Sequence, residues 1–178
     1  MQTEVQNFIV RPACEADIPT MLQLADEGRQ TMRANGNMRQ WSPSYPNTEV
    51  FRRDIERQGS FLVIEPQTQR AVATFAFLAS PEPTYAVIEG GAWIDDTLPY
   101  YVIHRIAAKH GSKGIFDTIM NFALERCTNL RMDTHRDNLI MRHLLEKYNF
   151  SYCGIIHVAN GDERLAYQLL TGEANTGK

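Results

Sequence analysis

Tyr101-Val102-Ile103-His104-Arg105-Ile106-Ala107-Ala108-Lys109-His110-Gly111-Ser112-Lys113-Gly114-Ile115-Phe116 is the stretch from which the fold is read. Its first half is rich in β-branched and aromatic residues, which predicts a strand over 101–108. Lys109 to Gly114 is a glycine-containing loop. Beyond it Ile115, Ile119, Phe122 and Ala123 fall at i, i+4, i+7 and i+8, one apolar face of a helix. A strand, a short glycine loop and a helix is a recurring way to hold phosphate, because glycine lets backbone approach the ligand and helix-start N–H groups point at the anion. The pattern lacks the GK[ST] ending of a P-loop and the three glycines of a dinucleotide fingerprint, so from these residues alone a plain βα turn is the favoured reading.

Working outward, Leu130 to Thr134 reads as the next strand. Met141, Leu144, Leu145 and Tyr148 then mark a helix closed by Asn149, a residue that tolerates the left-handed conformation. Two strands, Tyr152 to Val158 and Arg164 to Leu170, flank the turn at Asn160-Gly161-Asp162. Upstream, Phe8 to Arg11 is a short strand. Ile18, Met21, Leu22 and Ala25 predict a helix with Pro19 in its first turn and an end near Asn35. A short helix over 49–57 leads to two strands, 60–65 and 71–78, joined as a hairpin. Residues 81–99, with three prolines and a Gly-Gly pair, fit either a short strand at Tyr85 to Ile88 or an extended loop.

The 178 residues suit one domain, 1–178, with a loose tail from about Thr171. Hydrophobic residues make up 43% and charged residues 22%, a globular balance. A net charge of −3 gives no electrostatic support for nucleic acid or an anionic membrane as partner. Three scattered cysteines, no signal-like start and no run of about 18 apolar residues point to a reduced, cytoplasmic setting. Five histidines are scattered without HxxxH or HExxH spacing, so no metal is expected. A homodimer is compatible with these features.

Ile103 to Phe150 resembles the GNAT superfamily of acyl-CoA-dependent N-acyltransferases. The likeness rests on His104-Arg105-Ile106-Ala107-Ala108, the loop to Gly114-Ile115-Phe116, Asp133-Thr134-His135-Arg136-Asp137-Asn138, and Leu144 to Phe150. Ile9 to Ala13 with Asp17 is similar to the family's opening strand and helix. The resemblance implies an α/β GNAT-like fold with a central, mostly antiparallel mixed sheet flanked by helices. It implies acetyl-CoA as co-substrate and the amine of a small molecule or peptide as acceptor. Backbone of Ile106, Ala107 and Ala108 would pair with the pantetheine arm. The loop from Gly111 through Ser112, Lys113, Gly114 and Ile115 to Phe116 would hold the pyrophosphate, and Asn138 would bond the cofactor arm or serve as a helix N-cap. The sequence departs from the family pattern at Gly111, Gly114 and Phe116, and Leu145 stands where the family often has a tyrosine acid.

Amine acylation needs a neutral amine, a polarised thioester carbonyl and a proton for the thiolate. His104 is the first candidate for the base and His135 the second. Asp133 could orient a partner or pair with Arg105 or Arg131. Tyr148 and Cys153 are the candidate acids. Trp41, Tyr45 and Trp93 lie in irregular segments expected to wall the acceptor pocket. A non-catalytic acyl-CoA-binding module and an ATP- or NAD-binding protein are the rival readings.

Overall fold

The computed structural model describes residues 7–172. Its elements run β1 (Ile9–Pro12), α1 (Ile18–Ala34), α2 (Thr48–Glu56), β2 (Ser60–Glu65), β3 (Arg70–Ala79), β4 (Tyr101–Ala108), α3 (Ile115–Leu124), β5 (Asn129–Thr134), α4 (Leu139–Lys147), β6 (Ser151–His157) and β7 (Glu163–Leu170). The strands form one seven-stranded sheet in the order β1-β2-β3-β4-β5-β7-β6. Every pairing is antiparallel except β4 with β5. The expected mixed, mostly antiparallel sheet flanked by helices is therefore present.

The alternation of strand side chains puts core on both faces. Leu62 and Ile64 of β2 join Met21, Leu24 and Ala25 of α1 and Phe51 of α2. Val63, between them, turns the other way and packs with Phe75, Ile103, Ile119, Met120 and Leu145 under α3 and α4. A third cluster, with Tyr85, Trp93, Val102, Cys153 and Ile156, lies under the segment between β3 and β4. Among the described residues, no helix is long and apolar enough to cross a membrane.

That segment resolves the choice left open at Tyr85 to Ile88. Pro83–Tyr85 forms a 3-10 turn, and a single bridge, Glu89 to Ile155, is all the pairing it makes. At Gly91 an added Cβ would lie 2.1 Å from the carbonyl oxygen of Cys153, so only glycine lets the segment approach β6 this closely. Thr171 donates its N–H to Thr128 O at 2.9 Å and is tied to the sheet, whereas 173–178, the rest of the expected loose tail, lie outside the described residues.

β4 is where the sheet parts. It pairs with β5 only through Tyr101 to Leu130 and Val102 to Arg131. Across β3, the register slips between Thr74 and Ala76, so Arg105 and Ile106 stand opposite the single residue Phe75. A bulge of this kind bends its strand. Arg105, at φ 52°, takes the left-handed conformation that side-chain-bearing residues avoid. Its guanidinium is locked by Asp54, with Nε and Nη2 each 2.7 Å from a carboxylate oxygen, and Nη1 donates to the Tyr45 hydroxyl at 3.2 Å.

Candidate active site

The wedge beyond Val102 opens into a cleft of about 670 Å³. Its walls come from β4, the end of β5, the segment between α1 and α2, and the turn between β6 and β7. His104, Tyr45, Trp41, Ile106 and Asn138 line it. His135, Tyr148 and Trp93 are not among its lining residues.

His104 stands between two carboxylates. Nε2 is 3.4 Å from Glu82 Oε2, and Nδ1 is 3.6 Å from Asp133 Oδ2. Glu82 owes its position to the 3-10 turn, where its Oε1 accepts from the Thr84 N–H at 3.3 Å and the Thr84 hydroxyl at 2.9 Å. Burial pushes its carboxyl up, but the His104 ring and the Thr84 donors outweigh that and hold it at about 2. Asp133 Oδ2 accepts from the buried Tyr85 hydroxyl at 2.6 Å. Burial first, and then Asp133, drive the Tyr85 phenol far above its ordinary range, so it stays a donor. Asp133 thus pairs with His104 and Tyr85, not with Arg105 or Arg131, whose carboxylates are Asp54 and Asp96.

The remaining candidates occupy other settings. His135 Nδ1 accepts the Asp137 N–H at 3.1 Å. Burial, then the charge of Arg164, lowers its pKa. Tyr148 lies between α3 and α4, its ring edge-on to Phe116 and its hydroxyl donating to Asp117. Burial and Asp117 push that phenol to about 12. Trp93 packs on Tyr85 and Arg131, and its Nε1 donates to Tyr85 O at 3.1 Å. Cys153 and Leu145 are core residues. Asn138 caps α4, its Oδ1 accepting from Met141 N at 3.1 Å, and its amide nitrogen donates to Gln40 Oε1 at 2.9 Å.

At the glycine loop, Gly111 and Gly114 adopt φ 78° and 75°, and neither has an atom within 4 Å of where a Cβ would stand. Ser112 N–H is spent on Lys109 O at 3.1 Å, which removes it from the expected anion-binding set. Thr118 N–H is taken by Gly114 O. Among the described residues the amides of Lys113, Gly114, Ile115 and Phe116 meet no protein acceptor, so the start of α3 remains open to an anion. The Phe116 side chain is buried in the core and leaves that approach clear. Among the described residues no cluster of three or more His, Cys, Asp or Glu could hold a metal.

Glu82, Gln40 and Tyr85 are site residues that sequence reasoning passed over. For Glu82 a partial signal existed: Pro83 suits the first position of a helical turn, which puts Glu82 at its N-cap. Gln40, which accepts hydrogen bonds from Asn37 and Asn138 and joins three segments, carried none.

Comparison with known proteins agrees with this geometry. A GNAT-family acetyltransferase from Streptococcus agalactiae superposes with a TM-score of 0.83 at 28% identity, covering 94% of this chain and 98% of that one. A GNAT-family acetyltransferase from Listeria monocytogenes gives 0.69 at 18%, covering 96% and 99%. A chain of the NatC complex, bound to Gag peptide and CoA, gives 0.61 at 12%, covering 93% and 99%. No protein-family model and no curated protein matches the sequence. The split sheet, the open helix start and the likeness to the streptococcal enzyme define the class: the chain is a GNAT-superfamily acyl-CoA-dependent N-acyltransferase.

Proposed function

We propose that this chain, acting in the cytoplasm as one domain over 1–178, transfers an acetyl group from acetyl-CoA to a primary amine of a small molecule or peptide by direct attack. The observation that carries the reading is the parting of β4 from β5 at Ile103, with His104 held between two carboxylates at the opening. Beyond Val102 the β4 edge has no strand partner on the β5 side among the described residues. Backbone of Ile106 to Ala108 is therefore available to an extended, amide-bearing arm, and the free amides from Lys113 to Phe116 suit a diphosphate. Acetyl-CoA, when bound, supplies the activated thioester.

The chain's own residues handle the proton. An ammonium acceptor must lose one before it can attack, and His104 is the cleft-lining base. Glu82 faces Nε2 and Asp133 faces Nδ1, so either nitrogen that takes the proton meets a carboxylate. Glu82 is ionised at neutral pH and stabilises the imidazolium as it forms. Tyr85 and Thr84 are positioning residues, since they hold the two carboxylates.

One observation favours a second reading, a non-catalytic acyl-CoA-binding module. Leu145 is buried at the position where the family often has its acid, and the nearest helical phenol, Tyr148, is engaged by Asp117. Thermal unfolding with acetyl-CoA, CoA, ATP and NAD, followed by thiol release with an amine panel, separates the possibilities. A native-state ligand at a hundredfold excess over its Kd adds about 2.7 kcal/mol of stability. Stabilisation by acetyl-CoA and CoA with amine-dependent thiol release supports the enzyme. Stabilisation by ATP or NAD alone contradicts both acyl-CoA readings.

A further inference from the structure

Most of the buried and half-buried arginines hold a carboxylate, but Arg142, which donates to Arg136 O, and Arg164 have none among the described residues. Arg29, Arg105 and Arg131 hold carboxylates at 3.0, 2.7 and 3.0 Å. Arg164 is only 6% exposed and also lines the cleft, yet no carboxylate lies within ion-pair distance of it among the described residues. Its Nη2 donates to Gln40 O at 2.9 Å and its Nη1 to Glu163 O at 3.0 Å. These carbonyls orient the guanidinium and satisfy hydrogen bonds, but they supply no negative charge. A cation taken out of water without a counter-ion is expensive, and the expense falls when an anion arrives. After burial, the charge of Arg164 is the largest cause of the lowered His135 pKa, and it outweighs each of the opposing carboxylates, Asp137 and Asp162.

Two more arginines, Arg39 and Arg53, line the same cleft from the α1–α2 side and hold no carboxylate among the described residues. Asp162, an acid near the β6–β7 turn that also lines the cleft, accepts from Asn160 Nδ2 at 3.0 Å and makes no ion pair with Arg164. Glu82 and Asp133 flank His104. The cleft therefore has an acidic, histidine-bearing part that suits an amine and a set of arginines that suits an anion.

Resting on the acetyltransferase reading above, we infer that the acceptor carries a carboxylate as well as its amine, and that Arg164, with Arg39 and Arg53, binds that carboxylate. Coenzyme A also brings anions. Their place in that reading is the start of α3, however, and none of Lys113, Gly114, Ile115 or Phe116 lines this cleft. Arginine is the side chain best suited to a carboxylate, since its planar fork can donate two parallel hydrogen bonds.

Matched acceptors test this with the full chain: 6-aminohexanoate against hexylamine, and a tripeptide with a free C-terminus against its amide. Each pair keeps the reacting amine and removes the carboxylate. Thiol release at saturating acetyl-CoA should favour the carboxylate-bearing member of at least one pair by roughly tenfold or more in kcat/KM. Arg164→Gln should shrink that ratio through the KM of the carboxylate acceptor, with the Kd for coenzyme A retained. Arg39→Ala with Arg53→Ala, both at exposed positions, should shrink it as well and covers the case in which the Arg164 variant does not fold. Equal kcat/KM within both pairs would overturn the inference while leaving the acetyltransferase reading intact. So would arginine variants that weaken coenzyme A binding but keep the preference. Acetyl-CoA binding without thiol release from any amine would defeat the catalytic reading, and this inference with it.

Discussion

At its first two residues β4 is bonded to β5 and roofed by aromatic rings; from Ile103 onward it has no strand partner on that side among the described residues. Each end is fastened by an arginine. At the closed end Arg131 is 1% exposed, with its guanidinium 4.0 Å from the Trp93 ring centroid and 3.9 Å from that of Tyr100, and it reaches Asp96. It clamps the segment before β4 onto the sheet, where cation–π contact adds to the ion pair. At the open end Arg105 sits on the bulge itself. Its pair with Asp54 holds a backbone conformation the residue would otherwise avoid. Similar chemistry thus seals the strand seam at one end and keeps it apart at the other. The difference lies in the backbone: regular at the closed end, bulged and left-handed at the open one.

Arg105→Ala leaves Asp54, whose side chain is 6% exposed, as a buried carboxylate without its partner. The expected loss is about 3–5 kcal/mol in urea unfolding, with activity reduced in whatever fraction remains folded. A loss near zero would mean that the ion pair does not hold the bulge.

A smaller effect sharpens the account of the open end. The Glu82 carboxyl lies at about 2 in the folded protein, below its ordinary 4.5. A depressed carboxylate stabilises the fold above the unfolded value and loses that contribution as pH falls through the folded one. Glu82→Gln should therefore be less stable than the parent at neutral pH by on the order of 1 kcal/mol. Melting curves should converge as pH drops from about 4.5 toward 2. A stability gap that does not change with pH would show that the carboxylate charge is not what His104 and Thr84 hold.

Much of the architecture could be read from periodicity. The runs over β2, β3 and β4 and the apolar face of α3 carry it directly, and the strand–glycine–helix passage at 101–116 located the open helix start. The segment from Ser80 to Tyr100 could not be read this way, because no repeating pattern makes it. Contacts distant in sequence hold it instead, including Ile94 N–H to Gln168 Oε1 at 2.7 Å and Arg131 to Asp95 O at 2.9 Å. Glu82 was hidden for the same reason. Asp133 was visible on its strand, but its partners depended on where Tyr85 and His104 come to rest, which spacing does not encode. Arg164 looked like any strand-end cation until its burial and its neighbours were seen.

The role proposed for His104, between Glu82 and Asp133 at the mouth of the split, is to move the acceptor's proton. The most direct measurement is steady-state thiol release by His104→Gln beside its Kd for coenzyme A. The expected result is a fall in kcat of about a hundredfold or more while that Kd stays where it was. An unchanged kcat at saturating substrates would contradict it.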